Sequence, residues 1–321
     1  MKLAVTLADI WQARQTIRGA VVRTPLLQVP EIDRIVGASV RIKAEALQRT
    51  GSFKVRGAFN KVASLTPEEK RRGIITASAG NAALGAAYAA VQNGTECVVV
   101  MPATAVRFKV DAVRAYGATV ILEEGDSNAL FARVEQLRQE KGYTFVHPFD
   151  DPKVVAGQGT VGWEIAEDAP DLDYLLVPAS GGGLLGGVLT AIKGLTPSVK
   201  VIGVQPESCP GLILSLEAGS VQQAPVPQTI ADGLTARKPG HLNFAIVREL
   251  VDEMTTVSDA EIRRAMGVLY RNAKLLVEGA GAAAMAYAMR DQRFRGKRIG
   301  VIASGGNVSP ALAAEILQGG E

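Results

Sequence analysis

The stretch "DYLLVPASGGGLLGG", residues 173–187, decides the fold class. Tyr174 to Val177 form an apolar run of strand length. Small residues follow, and Leu184 then opens a second apolar stretch of helical length. Strand, glycine turn and helix make the repeating unit of parallel α/β proteins. Strand-like runs recur in "SVRIKAEAL", "GIITASAG", "ECVVVMP", "TVILEEG", "YTFVHPFD", "VKVIGVQP" and "RIGVIASGGN". Amphipathic or alanine-rich stretches, including 81–93, 104–116, 127–141 and 259–273, lie between them. Runs that are apolar throughout imply sheets covered by helices on both faces. The expectation is an α/β protein. Strands from Gly73 to about Asp150 would close a small lobe, and those from Asp173 onward a larger one.

Composition narrows the function. The 321 residues carry a net charge of only +3, with Lys and Arg dispersed, so no nucleic-acid footprint is read. The first twenty residues are interrupted by Asp9, Arg14 and Arg18 and do not read as a signal peptide. The longest uncharged small-residue run, Gly279 to Met289, falls short of the roughly 20 residues needed to cross a bilayer. No membrane partner is expected. Cys97 and Cys209 make no disulfide framework, which fits a cytoplasmic protein. Few residues follow "SGGN", so no further C-terminal module is expected.

Ligands of open parallel sheets bind beyond the carboxyl ends of the strands. Three small-residue turns occupy that position: Ala77–Asn81, Ala179–Gly187 and Ser304–Asn307. Each is expected to open a helix. Glycine there lets backbone N–H groups reach an anion, and a helix N-terminus adds partial positive charge. In the second turn Ser180 offers a hydroxyl, and Gly181, Gly182, Gly183 and Leu184 offer N–H groups, as a phosphate cradle requires. Gly181, Gly183 and Gly186 also spell G-x-G-x-x-G, with Glu207 about 20 residues on, where a ribose-binding acid would stand. That pattern alone would support a nicotinamide-dependent oxidoreductase, but it leaves "GSFK", "SAGN" and "SGGN" without a role. Lys54, between Phe53 and Val55, sits in an apolar setting. A desolvated lysine has a lowered pKa and a nucleophilic amine, so beside a phosphate site it suggests a Schiff base to pyridoxal phosphate.

"RTPLL", "KAEALQRTGSFKVRGA", "ITASAGN", "HPFDDPKVVAGQGTVGWEI", "VPASGGGLLGG", "TIADGL", "VSDAEIRRAM", "VEGAGA" and "ASGGN" occur in linear order from Arg23 to Asn307. Together they resemble the threonine/serine dehydratase branch of the fold-type II pyridoxal phosphate enzymes, to which serine racemase belongs. The resemblance implies a tryptophan synthase β-like fold of two open twisted sheets flanked by helices. Residues 1–72 and 150–321 would form a large cofactor-binding domain, and 73–149 a small mobile one. It implies pyridoxal 5'-phosphate, a small amino acid substrate and a homodimer. Lys54 would carry the cofactor and later move the Cα proton, Phe53 would pack beside the ring, and Asn81 would bond its hydroxyl. Ser180 to Leu184 would hold the phosphate, and Ser304 would face the pyridine nitrogen. Ser78, Ala79, Gly80, Asn81 and Ala82 would receive the substrate carboxylate. Glu278 would lie near the cofactor, or merely favour a helix N-terminus.

The resemblance also marks departures. The family's S-x-G-N-H-x-Q-G reads "SAGNAALG" here, with Ala82 and Leu84 in place of two polar residues. A more apolar loop suggests a bulkier substrate than threonine, such as phenylserine. Ala79 replaces the serine that serves racemases as an acid, so dehydration is expected over racemisation. "GSFKVRGA" argues for dehydration over β-replacement. Gln205 and Cys209 stand where metal-dependent relatives present acids, and no metal is expected. His147 reads as a strand end, His241 as a loop residue, and Glu123–Asp126 as a solvated turn.

Overall fold

The computed structural model describes residues 3–125 and 127–319. Among these residues ten strands form two sheets. They are β1 (Leu26–Leu27), β2 (Ser39–Lys43), β3 (Ile74–Ala77), β4 (Cys97–Pro102), β5 (Thr119–Glu123), β6 (Thr144–Phe145), β7 (Tyr174–Pro178), β8 (Lys200–Pro206), β9 (Glu253–Val257) and β10 (Arg298–Ile302). The six-stranded sheet runs β1-β2-β10-β7-β8-β9 and the four-stranded sheet β5-β4-β3-β6. Every pairing is parallel except β1 with β2.

Chemistry is placed by strand order. β10 pairs on one side with β2 (Ile302 opposite Lys43) and on the other with β7 (Val301 opposite Leu176). The chain turns outward from β7 through β8 to β9, so β10 and β7 flank a switch point, where a crevice opens beyond the strand ends. The turns at Ser180 and Ser304 leave these two strands side by side. In the smaller sheet β3 lies between β4 and β6, so its turn, Ser78–Gly80, leaves a second switch point.

The apolar runs explain the strands. Leu175, Leu176 and Val177 in β7, and Val99, Val100 and Met101 in β4, have no exposed surface because helices cover both faces. Helices Asn81–Gln92, Arg107–Ala115, Ser127–Lys141 and Asp259–Ala273 fall where alanine-rich or amphipathic patterns put them, and Gly183–Leu195 follows its glycine turn. Two strands lie outside the expected set. β1 has two residues, too few for a pattern, and β9, "EMTTV", is a half-buried edge strand with little apolar signal.

Three expectations are corrected. "SGGN" does not open a helix: the chain runs irregularly until Ser309 caps the helix Pro310–Gln318, its side chain accepting from Leu312 N–H. His241 is the first residue of helix His241–Leu250, not a loop residue, and its N–H donates to Asp150 Oδ2 at 3.0 Å. Glu123 ends β5 rather than lying in a turn, and Asp126 lies outside the described residues. Among the described residues no helix is long and apolar enough to cross a membrane.

A charged cluster sits where β2, helix Lys54–Ala63 and helix Pro152–Asp168 meet. Arg56, with no exposed surface, bonds Glu45 at 2.8 Å through both Nε and Nη2, and Glu164 at 2.7 and 2.9 Å through Nη1 and Nη2. Lys43, equally buried, pairs with Glu164 at 2.7 Å and donates to the Thr24 carbonyl at 2.6 Å. Burial would raise the Glu164 carboxyl, but Arg56 and Lys43 hold it below the ordinary value. Two cations thus balance two anions, each with bonds beyond its ion pair. Removing one member of such a set leaves an uncompensated buried charge. Arg56→Met is expected to lower unfolding stability by about 3–5 kcal/mol in denaturant titration, far more than loss of an exposed ion pair.

Candidate functional site

Lys54 is the first residue of helix Lys54–Ala63, with Phe53 as its N-cap. Phe53 N–H donates to the Ser304 carbonyl at 3.1 Å, and Ser52 bridges Gly305, so the segment before the lysine is pinned to the turn after β10. The half-buried Lys54 side chain reaches into a cavity of about 770 Å³, and its Nζ donates to the Pro148 carbonyl at 2.9 Å. The Phe53 ring lies 5.2 Å away. Burial lowers the amine to about 8, while the nearby Glu278 carboxylate works in the opposite direction.

The turn after β7 faces the same cavity with Ser180, Gly181, Gly182, Gly183 and Leu184. Gly182 has φ +94°, a left-handed conformation that glycine adopts without strain. A Cβ on Gly183 would stand 2.8 Å from the Phe149 carbonyl oxygen, so this turn admits no side chain there. The first bond of helix Gly183–Leu195 runs from Gly186 N–H to the Gly182 carbonyl at 2.7 Å. The N–H groups of Gly183, Leu184 and Leu185 therefore have no helical acceptor and carry the positive end of the dipole. Ser180 Oγ accepts from Ala236 N–H at 3.1 Å. Asn243 Nδ2 donates to the carbonyls of Gly181 and Phe149, both at 2.9 Å, and holds the turn in place.

The third wall comes from the turn after β3. Ser78, Ala79, Gly80, Asn81 and Ala82 all line the cavity, and Ser78 Oγ accepts from Gly80 N–H at 3.2 Å. Helix Asn81–Gln92 begins here, so its first N–H groups lack helical acceptors and put a second positive dipole end at the cavity wall. Asn81 Nδ2 donates to Glu278 Oε1 at 2.5 Å, and Asn81 Oδ1 accepts from Asn307 Nδ2 at 2.7 Å. Glu278 precedes helix Gly279–Arg290 but its side chain does not cap it. Instead it is buried in the cavity wall, where desolvation, then Asp232, push its carboxyl up to about 7, with Asn81 opposing. Ser304, 3% exposed, donates to the Ala280 carbonyl at 3.3 Å.

Every candidate cofactor and substrate residue, from Phe53 to Ser304, lines this one cavity. Leu84 does not: it packs among Ala83, Ala87 and Val110 in the core of the smaller lobe. Of the two altered positions only Ala82 changes the cavity wall. Glu207 is exposed and lines nothing, which removes the ribose-binding acid of the nicotinamide reading. Gln205 is fully buried, its Oε1 accepting from Leu212 and Ile213 N–H and its Nε2 donating to the Cys209 carbonyl. Among the described residues no cluster of metal-ligating side chains is found.

Sequence reasoning missed several wall residues. His147 follows β6 by two positions and stacks between Phe131 (6.0 Å) and Phe149 (4.7 Å, edge-on). Its Nδ1 accepts from Phe149 and Asp150 N–H, and burial holds it neutral, at about 4. An isolated histidine gave no signal of this. Lys109, Asp232 and Asn243 also line or support the cavity, and only their place in strand-end loops and helix starts could have marked them.

These residues fit pyridoxal phosphate. The side-chain-free glycine turn at a helix N-terminus suits a phosphate, and a desolvated primary amine suits an aldehyde. Comparison with known proteins agrees. The family model described as pyridoxal-phosphate dependent enzyme matches residues 17–305. The chain is 43% identical to the L-threonine ammonia-lyase of Thermotoga maritima, over 98% of this chain and 79% of that protein. It is 41% identical to the catabolic L-threonine dehydratase TdcB of Escherichia coli, over 98% and 96%. Maize serine racemase superposes with a TM-score of 0.93 at 34% identity, covering 97% of this chain and 96% of that one. The processed form of threonine deaminase isoform 2 from Solanum lycopersicum superposes at 0.91 with 34% identity, covering 98% and 88%. The chain therefore belongs to the pyridoxal-phosphate dependent enzymes.

Proposed function

We propose that this chain is a cytoplasmic β-hydroxy amino acid ammonia-lyase. The observation that carries the reading is the convergence of Lys54, the Ser180–Leu184 turn and Ser304 on one cavity. Similarity to threonine ammonia-lyases supports it. Pyridoxal phosphate, when bound, supplies the electron sink that makes an amino acid Cα–H acidic.

The residues take these roles. Ser180 to Leu184 hold the phosphate through N–H groups and a hydroxyl. Phe53 would pack on the ring, and Asn81, fixed by Glu278 and Asn307, would bond its hydroxyl. Ser304 presents a neutral hydroxyl to the ring nitrogen. A neutral hydroxyl there would leave the bound cofactor a weaker electron sink than a carboxylate would, which would favour loss of the β-substituent over transamination. Ser78 to Ala82 receive the carboxylate, and Lys54 Nζ takes the Cα proton as the Cβ–O bond breaks. Water leaves in the elimination and re-enters when the released enamine hydrolyses, so the net products are a 2-oxo acid and ammonia. Ala79 stands in the cavity wall with no proton to give to the opposite face of Cα, which argues against racemisation.

Residues 73–149 act in this reading as a small mobile domain that closes over substrate, with 1–72 and 150–321 as the cofactor-bearing body. A homodimer is its assembled form. Both cysteines are free and buried, which suits a reducing compartment. We place the preferred substrate among bulkier members of the class, such as phenylserine. Ala82 leaves room, and Phe131, His147 and Phe149 form an aromatic wall.

Purified protein should release ammonia from a panel of L-threonine, L-serine and phenylserine, and Lys54→Ala should abolish it. Phenylserine should have the highest kcat/KM, and Ala82→His should cut its advantage over threonine by about tenfold. A strong preference for serine would sink the bulky-substrate reading. The Lys54 amine is nucleophilic only when neutral. Uptake of pyridoxal phosphate by apoprotein, followed by visible absorbance, should therefore accelerate as pH rises through about 8 and then level off. An ordinary lysine would keep accelerating to about 10 or beyond.

A further inference from the structure

Lys109 has no role in the mechanism above, yet it lines the same cavity. It is the third residue of helix Arg107–Ala115, and its side chain is only 16% exposed. A Cβ built on Gly80 would lie 4.0 Å from Lys109 Nζ, so the ammonium stands beside the Ser78–Ala82 loop. Its ion-pair partner is Asp232, which opens the short turn Asp232–Leu234 on the opposite wall. The Asp232 side chain is 52% exposed.

A carboxylate therefore already sits on the ammonium next to a helix start, where the N–H groups of Asn81 and Ala82 have no helical acceptor. With one half-exposed partner the pair is screened by water and weak, so another carboxylate can displace Asp232. The buried Glu278 is fixed by Asn81 and cannot follow such an exchange. A carboxylate has about four lone-pair sites, enough to take the ammonium and two or more N–H donors together. We propose that Lys109 binds the substrate α-carboxylate, and that Asp232 holds its place until substrate arrives and then turns to solvent. This rests on the reading that the Ser78–Ala82 loop receives that carboxylate.

The test uses holoenzyme and α-aminoisobutyrate, an amino acid with no Cα–H to lose, so that binding is read without turnover. Lys109→Gln should weaken its Kd, measured by calorimetry, by about tenfold or more while leaving the cofactor absorbance unchanged. Lys109→Arg should recover most of the affinity. Asp232→Asn, which removes the competitor, should bind as tightly as the parent or more tightly. The proposal is overturned if Lys109→Gln binds within about twofold of the parent. It is equally overturned if Asp232→Asn weakens binding as much as Lys109→Gln, since the pair would then be a strap between walls. Ammonia release with an unaffected Lys109→Gln Kd would sink this inference alone. No ammonia release from any hydroxy amino acid, with the Kd loss intact, would sink the lyase reading and leave Lys109 as the carboxylate site.

Discussion

The site depends on how one helix is held. Arg56 lies two residues beyond Lys54, and its guanidinium is bonded on both sides to buried carboxylates, Glu45 before the helix and Glu164 on a neighbouring one. Side-chain length and fork geometry fix the distance between three chain segments at once. The packing around them leaves no slack. A Cβ on Gly157 would stand 2.6 Å from the Arg56 carbonyl oxygen, and one on Gly85 would stand 3.1 Å from the carbonyl carbon of Lys54. Helices Pro152–Asp168 and Asn81–Gln92 thus press on the backbone that presents the amine from two sides. A one-residue shift of that helix would break four charge-assisted bonds in a medium without water to replace them.

The same burial sets the electrostatics. The cavity holds Lys54 and Glu278, and desolvation works on both toward the neutral form: the amine falls to about 8 and the carboxyl rises to about 7. Their mutual attraction opposes this and does not win. Near neutral pH the site therefore keeps a carboxyl that titrates in the working range beside an amine that is much easier to deprotonate than a free lysine. His147 is pushed the same way and stays neutral, so the aromatic wall adds no charge. The cavity thus sets titratable groups, Lys54 and Glu278, in the same space as an aromatic wall that carries no charge at neutral pH.

Much of this was legible in the sequence, and the failures have physical causes. Strands buried on both faces announce themselves as apolar runs, so β4, β7, β8 and β10 fell where "CVVVMP", "YLLVP", "KVIGVQP" and "RIGVI" put them. β9 escaped because an edge strand needs only one apolar face. Turns at strand ends gave the wall residues because small residues at that place have few other uses. What could not be read was side-chain direction. Leu84 sits three residues into a helix from Asn81, and whether it faces ligand or core depends on the rotation of that helix, which the pattern of alanines does not state. Lys43, Glu45 and Glu164 look like surface charges until the fold shows Glu45 and Glu164 buried against Arg56 and Lys43 buried against Glu164.

Asn81 shows why the site spans both sheets. It begins the helix after β3, yet its amide is held by Glu278, before helix Gly279–Arg290, and by Asn307, after β10. Both partners belong to the larger sheet's side of the cavity. The smaller sheet is therefore joined at the chemistry itself by a pair of side-chain bonds, with Lys109 and Asp232 making a second link at the rim. The inner link is buried and uses both ends of one amide, so it fixes the orientation of the helix N-terminus. The outer link has one half-exposed partner, Asp232, and is screened by water.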